Sequence, residues 1–182
     1  MRGLVRSTII LALLIPPILL AQSSPSENEV KAAFVYNFAK FISWPTSVFQ
    51  TAEQPLNIGV LGEKSAADRL MAMVQGKTAN NRRIVVTGST SINDLMKSQI
   101  IVFASTSETE LKTHLDTLIS QHILTVGEGD EFLERGGIIR LYVQDARVRF
   151  AVNVSVAEKT ELSVSSSLLR LASDPGKPRS GD

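Results

Sequence analysis

The segment that follows residue 25 is patterned as one amphipathic helix. Ser26 and Glu29 have the spacing of a capping box, which predicts a helix beginning near Glu27. Pro45 disfavours helical geometry at Trp44 and predicts the end of the helix there. Large apolar side chains form one narrow stripe along this helix, at Val30, Phe34, Phe38 and Phe41. We expect the stripe, with Phe38 and Phe41 at its centre, to face the core.

One amide, Asn37, falls inside this apolar stripe. A buried amide without hydrogen-bond partners costs about 1–3 kcal/mol. We therefore expect an internal hydrogen bond from Asn37 to a backbone carbonyl or a neighbouring turn, with contact to a ligand as the alternative.

The middle of the chain alternates apolar strands with helical segments. Continuously apolar runs predict strands at 56–61, 83–87, 100–104 and 123–126. Helical patterns predict helices near 65–74, 92–96, 108–119 and 131–135. Strands buried on both faces, with helices between them, imply a mostly parallel sheet that is covered on both sides.

The pattern changes near the end of the chain, where apolar and polar residues alternate. Runs at 136–143 and 147–154 predict an antiparallel hairpin with one core face and one wetter face. A closing helix is predicted near 165–172, followed by a disordered tail at 173–182. The pattern as a whole predicts a single α/β domain over 27–172. Its architecture is a sandwich with a mixed, mostly parallel sheet flanked by helices and ending in an antiparallel hairpin.

The N-terminus has the order of an export signal. Two arginines precede an uncharged apolar run from about Ile9 to Leu20, and small residues follow it. This run is short for a hydrocarbon core, which needs about 20 residues. We predict that residues 1–21 are a signal peptide cleaved between Ala21 and Ser24, with an uncleaved anchor as the alternative.

Charge and cysteine content narrow the possible functions. The chain has 19 Lys+Arg and 18 Asp+Glu, and removing the signal takes two arginines, which leaves 17 against 18 and a net charge of about −1. A neutral protein has no basic field to attract nucleic acid, so we predict no nucleic-acid partner. Cysteine is absent, which excludes disulfides and thiol redox control.

The tetrapeptide GDEF at 129–132 resembles part of the GGDEF signature of diguanylate cyclases. It lies between a predicted strand and helix, however, and Glu128 interrupts the glycine pair. We interpret it as a loop in which Asp130 caps a short helix. A metal site made by Glu128, Asp130 and Glu131 is the alternative, although the helix dipole also favours acids at this position.

Other candidate residues favour structural roles. Gly59 and Gly62 flank the end of the first predicted strand, at an edge where α/β proteins bind ligands, but they lack a phosphate-loop pattern, so we expect tight turning and close packing. Gly136 and Gly137 suit a left-handed helix C-cap. The histidines, His114 and His122, are accompanied by no nucleophile elbow, metal-binding pair or thiol. We therefore predict a non-enzyme without a metal or cofactor.

The wetter hairpin face carries the most distinctive polar cluster, formed by Arg140, Tyr142, Arg147 and Arg149. Guanidinium groups in such a cluster bind a carboxylate, a phosphate or an acidic partner surface. The alternatives are a solvated sheet face, or a covered one with snorkelling arginines.

Several separated motifs occur in one order along the chain: VKAAFVYNFAKFISWP, PLNIGVLG, GKTANNRRIVV, ILTVGE, GGIIRLYV, RVRFAVN and SSSLLRLA. In these motifs the chain resembles the YfiR-like family of periplasmic regulatory proteins over nearly all of residues 29–172. We expect the matching positions to serve the fold, namely Asn37, Phe41, Trp44, Gly59, Gly62, Gly127, Gly136, Gly137 and Asn153.

The resemblance implies an exported, dimeric α/β protein without catalysis. It would bind the periplasmic domain of an inner-membrane diguanylate cyclase, or a related sensor, and restrain synthesis of cyclic di-GMP. Because this chain lacks the cysteines of the best-known member, no disulfide control is carried over. Two alternatives remain. One is a periplasmic small-molecule binder with a crevice near Gly62 and Gly127, serving another membrane sensor; the other is a hydrolase that uses Glu128, Asp130 or His122.

Overall fold

The computed structural model describes residues 24–104 and 108–173. The predicted signal peptide and the tail beyond Ser173 lie outside these residues. The α-helices of the described part are α1 (Glu27–Phe41), α2 (Lys64–Val74), α3 (Glu108–Leu118), α4 (Val154–Lys159) and α5 (Ser166–Leu171). The helix predicted near 92–96 is a 3-10 helix over Ile92–Leu95. The strands are β1 (Ile42–Ser43), β2 (Leu56–Leu61), β3 (Thr78–Ala79), β4 (Arg82–Ser89), β5 (Ile100–Phe103), β6 (Leu124–Gly127), β7 (Ile139–Gln144), β8 (Arg147–Val152) and β9 (Ser163–Val164).

The main sheet confirms the predicted fold class. Seven strands of the described chain pair in the order β3-β4-β2-β5-β6-β7-β8. The pairs from β4 through β7 are parallel, while β3–β4 and β7–β8 are antiparallel. β1 and β9 form a separate antiparallel pair. The protein is therefore an α/β sandwich with a mixed, mostly parallel sheet and a C-terminal hairpin.

The two faces of the sheet bury separate apolar clusters. Neighbouring residues of β5 alternate between them, with Ile100 in the first cluster and Ile101 in the second, as side chains of a strand point to opposite faces. The first cluster includes α1, α2 and one face of the hairpin, and the second includes α3 and Phe132. Helices cover both faces of the central strands, as their continuously apolar sequences predict.

The capping box at the start of α1 is confirmed. Ser26 Oγ accepts from the N–H of Glu29 at 3.3 Å, and Glu29 Oε2 accepts from the N–H of Ser26 at 2.7 Å. The predicted end of the helix is wrong by three residues. α1 stops at Phe41 because Ile42 and Ser43 turn into β1 and pair with β9, a long-range contact that the local sequence does not reveal.

The buried face of α1 is not the one that the stripe of large side chains predicts. Its buried residues are Ala32, Val35, Phe38 and Ala39. Phe38 is fully buried, as expected, whereas Phe41 is 36% exposed, so its assignment to the core is wrong. Small alanines let the helix pack closely, and this close packing turns its bulkiest stripe partly away from the core.

Two further segments differ from their predictions. Residues 131–135 form turns instead of a helix, because the Gly137 N–H returns to the Phe132 carbonyl at 2.8 Å and closes a tight loop. β8 ends at Val152 instead of continuing to Val154. Asn153 caps α4 there, because its side chain accepts from the Val156 N–H at 3.2 Å. An asparagine at the end of an apolar run does not by itself indicate that a helix begins there.

Candidate functional site

The C-terminal hairpin presents an apolar face and a polar face, as its alternating sequence predicts. The apolar face consists of Ile139, Leu141, Val148, Phe150 and Val152, which belong to or pack on the first core cluster. The polar face consists of Arg140, Tyr142, Arg147, Arg149 and Ala151, which occupy the alternate positions of β7 and β8. The strand register places Tyr142 opposite Arg149 and Gln144 opposite Arg147. The structure thus brings the four predicted partner-binding residues to one face.

Arg140 makes two contacts to Asp130 and one to Tyr142 on the polar face. Its guanidinium forms an ion pair with Asp130, and its Nη1 donates to the Asp130 carbonyl at 3.4 Å. The same guanidinium lies 5.2 Å from the ring centroid of Tyr142. The Arg140 side chain is only 13% exposed. Asp130, predicted as a helix cap or a metal ligand, therefore anchors an arginine instead.

Three hydrogen-bond donors on the polar face are buried without an acceptor in the described part of the chain. They are Arg140 Nε, Tyr142 Oη and Arg149 Nε. Arg149 makes one long ion pair, 3.8 Å from Nη2 to Asp145 Oδ2, and its side chain is 23% exposed. Leaving a buried donor unsatisfied costs about 1–3 kcal/mol. The polar face therefore carries three buried donors that the described residues leave without an acceptor.

Arg147 differs from the other three residues of this cluster. It lies beside the hairpin turn and is exposed to solvent. The turn itself has Asp145 at φ 50° and Ala146 at φ 56°, both in the left-handed region. An exposed arginine at such a tip contributes little to the stability of the fold.

The glycines of the family motif lie where side chains do not fit. A Cβ on Gly127 or Gly137 would come within 2.2 Å of the Phe132 ring, which the two glycines enclose. A Cβ on Gly59 would meet Ser98 Oγ at 2.8 Å. Gly62 and Gly136 have φ values of 129° and 99°, which L side chains rarely adopt.

The polar motif residues have mixed environments. Besides capping α4, Asn153 donates through Nδ2 to the Leu133 carbonyl at 3.1 Å and so fixes the turn that precedes β7. The Trp44 ring packs edge-on against Phe49 at 6.3 Å, while its Nε1 is buried without a partner among the described residues. Asn37 is half-buried, and its side chain makes no hydrogen bond to the described residues, so the expected internal bond is not found.

Arg82 has a structural role that sequence reasoning did not assign. Its Nη1 donates to three carbonyls of one loop, at distances of 2.8–2.9 Å, namely those of Thr51, Ala52 and Gln54. Its guanidinium also stacks 3.9 Å from the Phe49 ring centroid. One arginine thereby fixes the loop between β1 and β2. An arginine in a run of basic residues carries no local signal of such a role.

The residues considered for metal binding or catalysis are engaged separately. Glu128 Oε2 pairs with Lys31 Nζ at 2.6 Å, Glu131 pairs with Arg135, and His122 Nδ1 lies 3.1 Å from the Thr160 carbonyl. Within 24–104 and 108–173, no three His, Asp or Glu side chains gather as metal ligands do. The helices of these described residues also lack the length and the apolar composition of a membrane span.

Comparisons with known proteins identify a family and a fold. The family model DUF4154, described as YfiR/HmsC-like, matches residues 28–173. The search of curated proteins found no match. A crystal structure of a conserved domain protein from Vibrio cholerae O1 biovar El Tor is similar, with a TM-score of 0.51 and 14% identity. The similarity covers 83% of this chain and 60% of that chain, and at this identity it shows a shared fold.

Proposed function

This chain belongs to the YfiR/HmsC-like family, known as periplasmic regulators of diguanylate cyclases, and on that premise we propose that it is an exported negative regulator without catalytic activity. It binds the periplasmic sensor domain of an inner-membrane diguanylate cyclase and restrains the synthesis of cyclic di-GMP. Residues 1–21 direct export and are removed between Ala21 and Ser24. The regulator acts as a homodimer.

The polar face of the hairpin is the proposed docking surface. The observation that carries this proposal is the set of three buried donors without acceptors among the described residues, on Arg140, Tyr142 and Arg149. Carboxylates on a partner would accept from them, and bonds between charged groups of this kind contribute more than neutral ones. Because these donor atoms are buried in the free regulator, the arginine side chains would have to turn outward on binding before a partner's carboxylates accept from them.

A negative regulator of this kind acts through the difference between its affinities for the inactive and the active form of the sensor. A regulator that binds only the inactive form of a sensor shifts the equilibrium by its preference for that form. A hundredfold preference corresponds to about 2.7 kcal/mol. The size of the effect therefore depends on the partner as well as on the regulator.

A genetic experiment tests the regulatory function. Deletion of this protein is expected to raise cyclic di-GMP, and with it matrix production and surface attachment. The rise in cyclic di-GMP must disappear when the cognate cyclase is also deleted, because the proposed regulator acts on that cyclase. Unaltered cyclic di-GMP in the single deletion contradicts the proposal, and a rise that persists in the double deletion assigns the effect to another protein.

A binding experiment tests the docking surface. Arg147→Glu combined with Arg149→Glu is expected to weaken binding to the cyclase's periplasmic domain, measured by calorimetry on protein that circular dichroism shows to be folded. The matched control is Arg83→Glu with Lys97→Glu, which makes the same charge change at two exposed positions away from the hairpin. Equal binding by both double variants removes the hairpin from the interface.

Three simpler measurements check the rest of the proposal. N-terminal sequencing of the periplasmic protein should begin at Gln22, Ser23 or Ser24, and an intact Met1 contradicts cleavage. Sedimentation equilibrium should give twice the monomer mass, and a monomer at micromolar concentration contradicts the homodimer. Turnover of a phosphoester or ester substrate, lost on changing Glu128, would favour the hydrolase instead.

A further inference from the structure

A crevice between α1 and α2 opens at the carboxyl ends of three parallel strands. Its volume is about 100 Å³, and Val60 of β2, Val102 of β5 and Glu128, directly after β6, line it from the sheet. Open α/β sheets bind ligands at this edge, where neighbouring strands connect in opposite directions. β2 and β5 are such a pair, since β2 leads through α2 to β4 on its other side.

The floor of the crevice is apolar. Val35 of α1, Leu70 of α2 and Leu141 of β7 line it together with the two valines. This space is smaller than the roughly 150 Å³ that encloses a six-carbon ring, so it takes about four or five carbon atoms of a ligand and leaves the ligand's polar end at the rim. Small-molecule sites combine such an apolar lining with a few polar groups that fix the ligand's orientation.

The rim of the crevice carries a mostly buried ammonium group. The Lys31 side chain is 14% exposed, and its Nζ lies 2.6 Å from Glu27 Oε1 and 2.6 Å from Glu128 Oε2. Burial by itself lowers the pKa of Lys31, but the hydrogen bonds and charges of Glu128 and Glu27 outweigh burial and raise the pKa above its ordinary value. Lys31 is therefore charged throughout the neutral range, and the two carboxylates that it contacts leave one negative charge in excess on this side of the rim.

Arg69 is the second cation that lines the crevice, and it forms no ion pair with the described residues. Its neighbour Asp68 is paired with Lys64 at 2.6 Å, and Glu128 is paired with Lys31. The planar fork of Arg69, with five N–H donors, is therefore available. A guanidinium fork binds two oxygens of a carboxylate or of a phosphate. The small volume of the crevice favours the carboxylate, which is the smaller of the two groups.

We infer that this crevice binds a small aliphatic carboxylate whose short hydrocarbon chain fills the apolar space and whose carboxylate lies at the rim. The carboxylate pairs with Arg69, and the hydrocarbon chain lies along Val35, Val60 and Leu70. This site lies on the opposite face of the sheet from the polar face of the hairpin, and it goes beyond the proposed docking function. Because binding is measured on the isolated protein, its failure says nothing about the partner.

Calorimetric titration of the purified chain with hexanoate tests the inference. The expected dissociation constant is about 10 µM to 1 mM, the range for a ligand of this size. Hexan-1-ol has the same chain without the carboxylate, and acetate has the carboxylate without the chain, so both should bind at least about tenfold more weakly. Absence of hexanoate binding at ligand concentrations of about 10 mM, or equal binding of the alcohol, overturns the inference.

Two variants place the ligand in the crevice. Arg69→Gln should weaken hexanoate binding about tenfold or more, whereas Arg83→Gln, an equal charge change on exposed β4, should leave it unchanged. Ala66→Leu places a larger side chain in the crevice and should weaken the binding of hexanoate more than that of acetate. Circular dichroism confirms that each variant is folded. Binding that neither variant alters places the ligand elsewhere and overturns the site.

Discussion

The two faces of the C-terminal hairpin are built by the same two strands, yet the chain treats them differently. On the apolar face, the Phe150 ring packs 5.2 Å from Phe38 and 5.5 Å from Phe34, between ring centroids. On the polar face, at the alternate positions of each strand, Tyr142 and Arg149 bury donors that no described residue accepts. The apolar face is completed by the protein's own helix, and the polar face is left incomplete.

This difference separates stability from recognition within one element. A change on the apolar face acts on the folded state, because α1 and the sheet share that core. A change on the polar face acts on what the protein can bind, and removing one of its buried, unsatisfied donors also relieves a cost to the folded state. Substitutions on the two faces should therefore change the free energy of unfolding with opposite signs.

The largest expected effect is on the apolar face. Phe38→Ala should lower the free energy of unfolding by about 3–5 kcal/mol, because it removes a fully buried ring that packs on Phe150. Phe41→Ala is the matched control on the same helix, with an expected loss below about 1 kcal/mol, since Phe41 is exposed. Urea melts measure both. Equal decreases in the free energy of unfolding would mean that the two rings are equally buried, which contradicts the distinction between a buried and an exposed face of α1.

The next effect concerns the turn that leads into the hairpin. Gly127→Ala should cost about 1–3 kcal/mol, because the new Cβ would overlap the Phe132 ring. Gly129→Ala in the same loop is the control, since a Cβ there meets nothing within 4 Å. Thermal melts of the two variants compare them directly. If Gly127→Ala leaves the melting temperature unchanged, the Phe132 ring can move aside, and its close contact with Gly127 does not limit stability.

A smaller effect, of opposite sign, is expected on the polar face. Tyr142→Phe removes a buried hydroxyl that has no partner among the described residues, so the free energy of unfolding should rise by about 1 kcal/mol. The control is Tyr36→Phe, which removes a hydroxyl that donates to the Thr78 carbonyl at 3.3 Å and should lower stability slightly. Denaturant midpoints report the sign. Destabilisation by Tyr142→Phe would mean that its hydroxyl is already satisfied in the free protein.

The smallest effect is at the start of α1, the helix that covers the apolar face. Hydrogen bonds from the backbone and side chain of Ser26 hold the pKa of Glu29 below its ordinary value of 4.5. A lowered pKa stabilises the folded state above that ordinary value, and this contribution is lost as the pH falls through the lowered one. The melting temperature of the wild type should exceed that of Glu29→Gln near neutral pH, and the gap should close on acidification. A gap independent of pH would contradict the capping role of the carboxylate.

The sequence predicts the fold well where local patterns and long-range pairing agree. The apolar runs correctly predicted β2 and β5, and the alternation of 139–152 correctly separated the two faces of the hairpin. The prediction failed for α1, where the bulkiest side chains do not mark the buried face. The helix packs through Ala32 and Ala39, and the importance of a small residue depends on the surface opposite it, which no local pattern contains.

The sites are less predictable for a related reason. The sequence places Arg140 and Arg149 on one face, but it does not indicate that Asp130 holds the first or that both bury an unsatisfied Nε. The crevice is harder still, because Lys31 and Glu128 are 97 residues apart in sequence. Their meeting depends on the docking of α1 over the ends of the parallel strands, which is a property of the assembled fold.

The end of the described chain has a consequence for aggregation. β8 is the last strand of its sheet, and an uncovered edge strand can template pairing with another molecule. The Ser173 N–H donates to the Phe150 carbonyl at 2.8 Å, so the segment after α5 crosses this edge and takes one of its acceptors. Arg147 and Arg149 add charges to the same strand, another common protection of edges. The hairpin can thus expose its polar face at high protein concentration, while its edge strand resists the strand pairing that would build fibres.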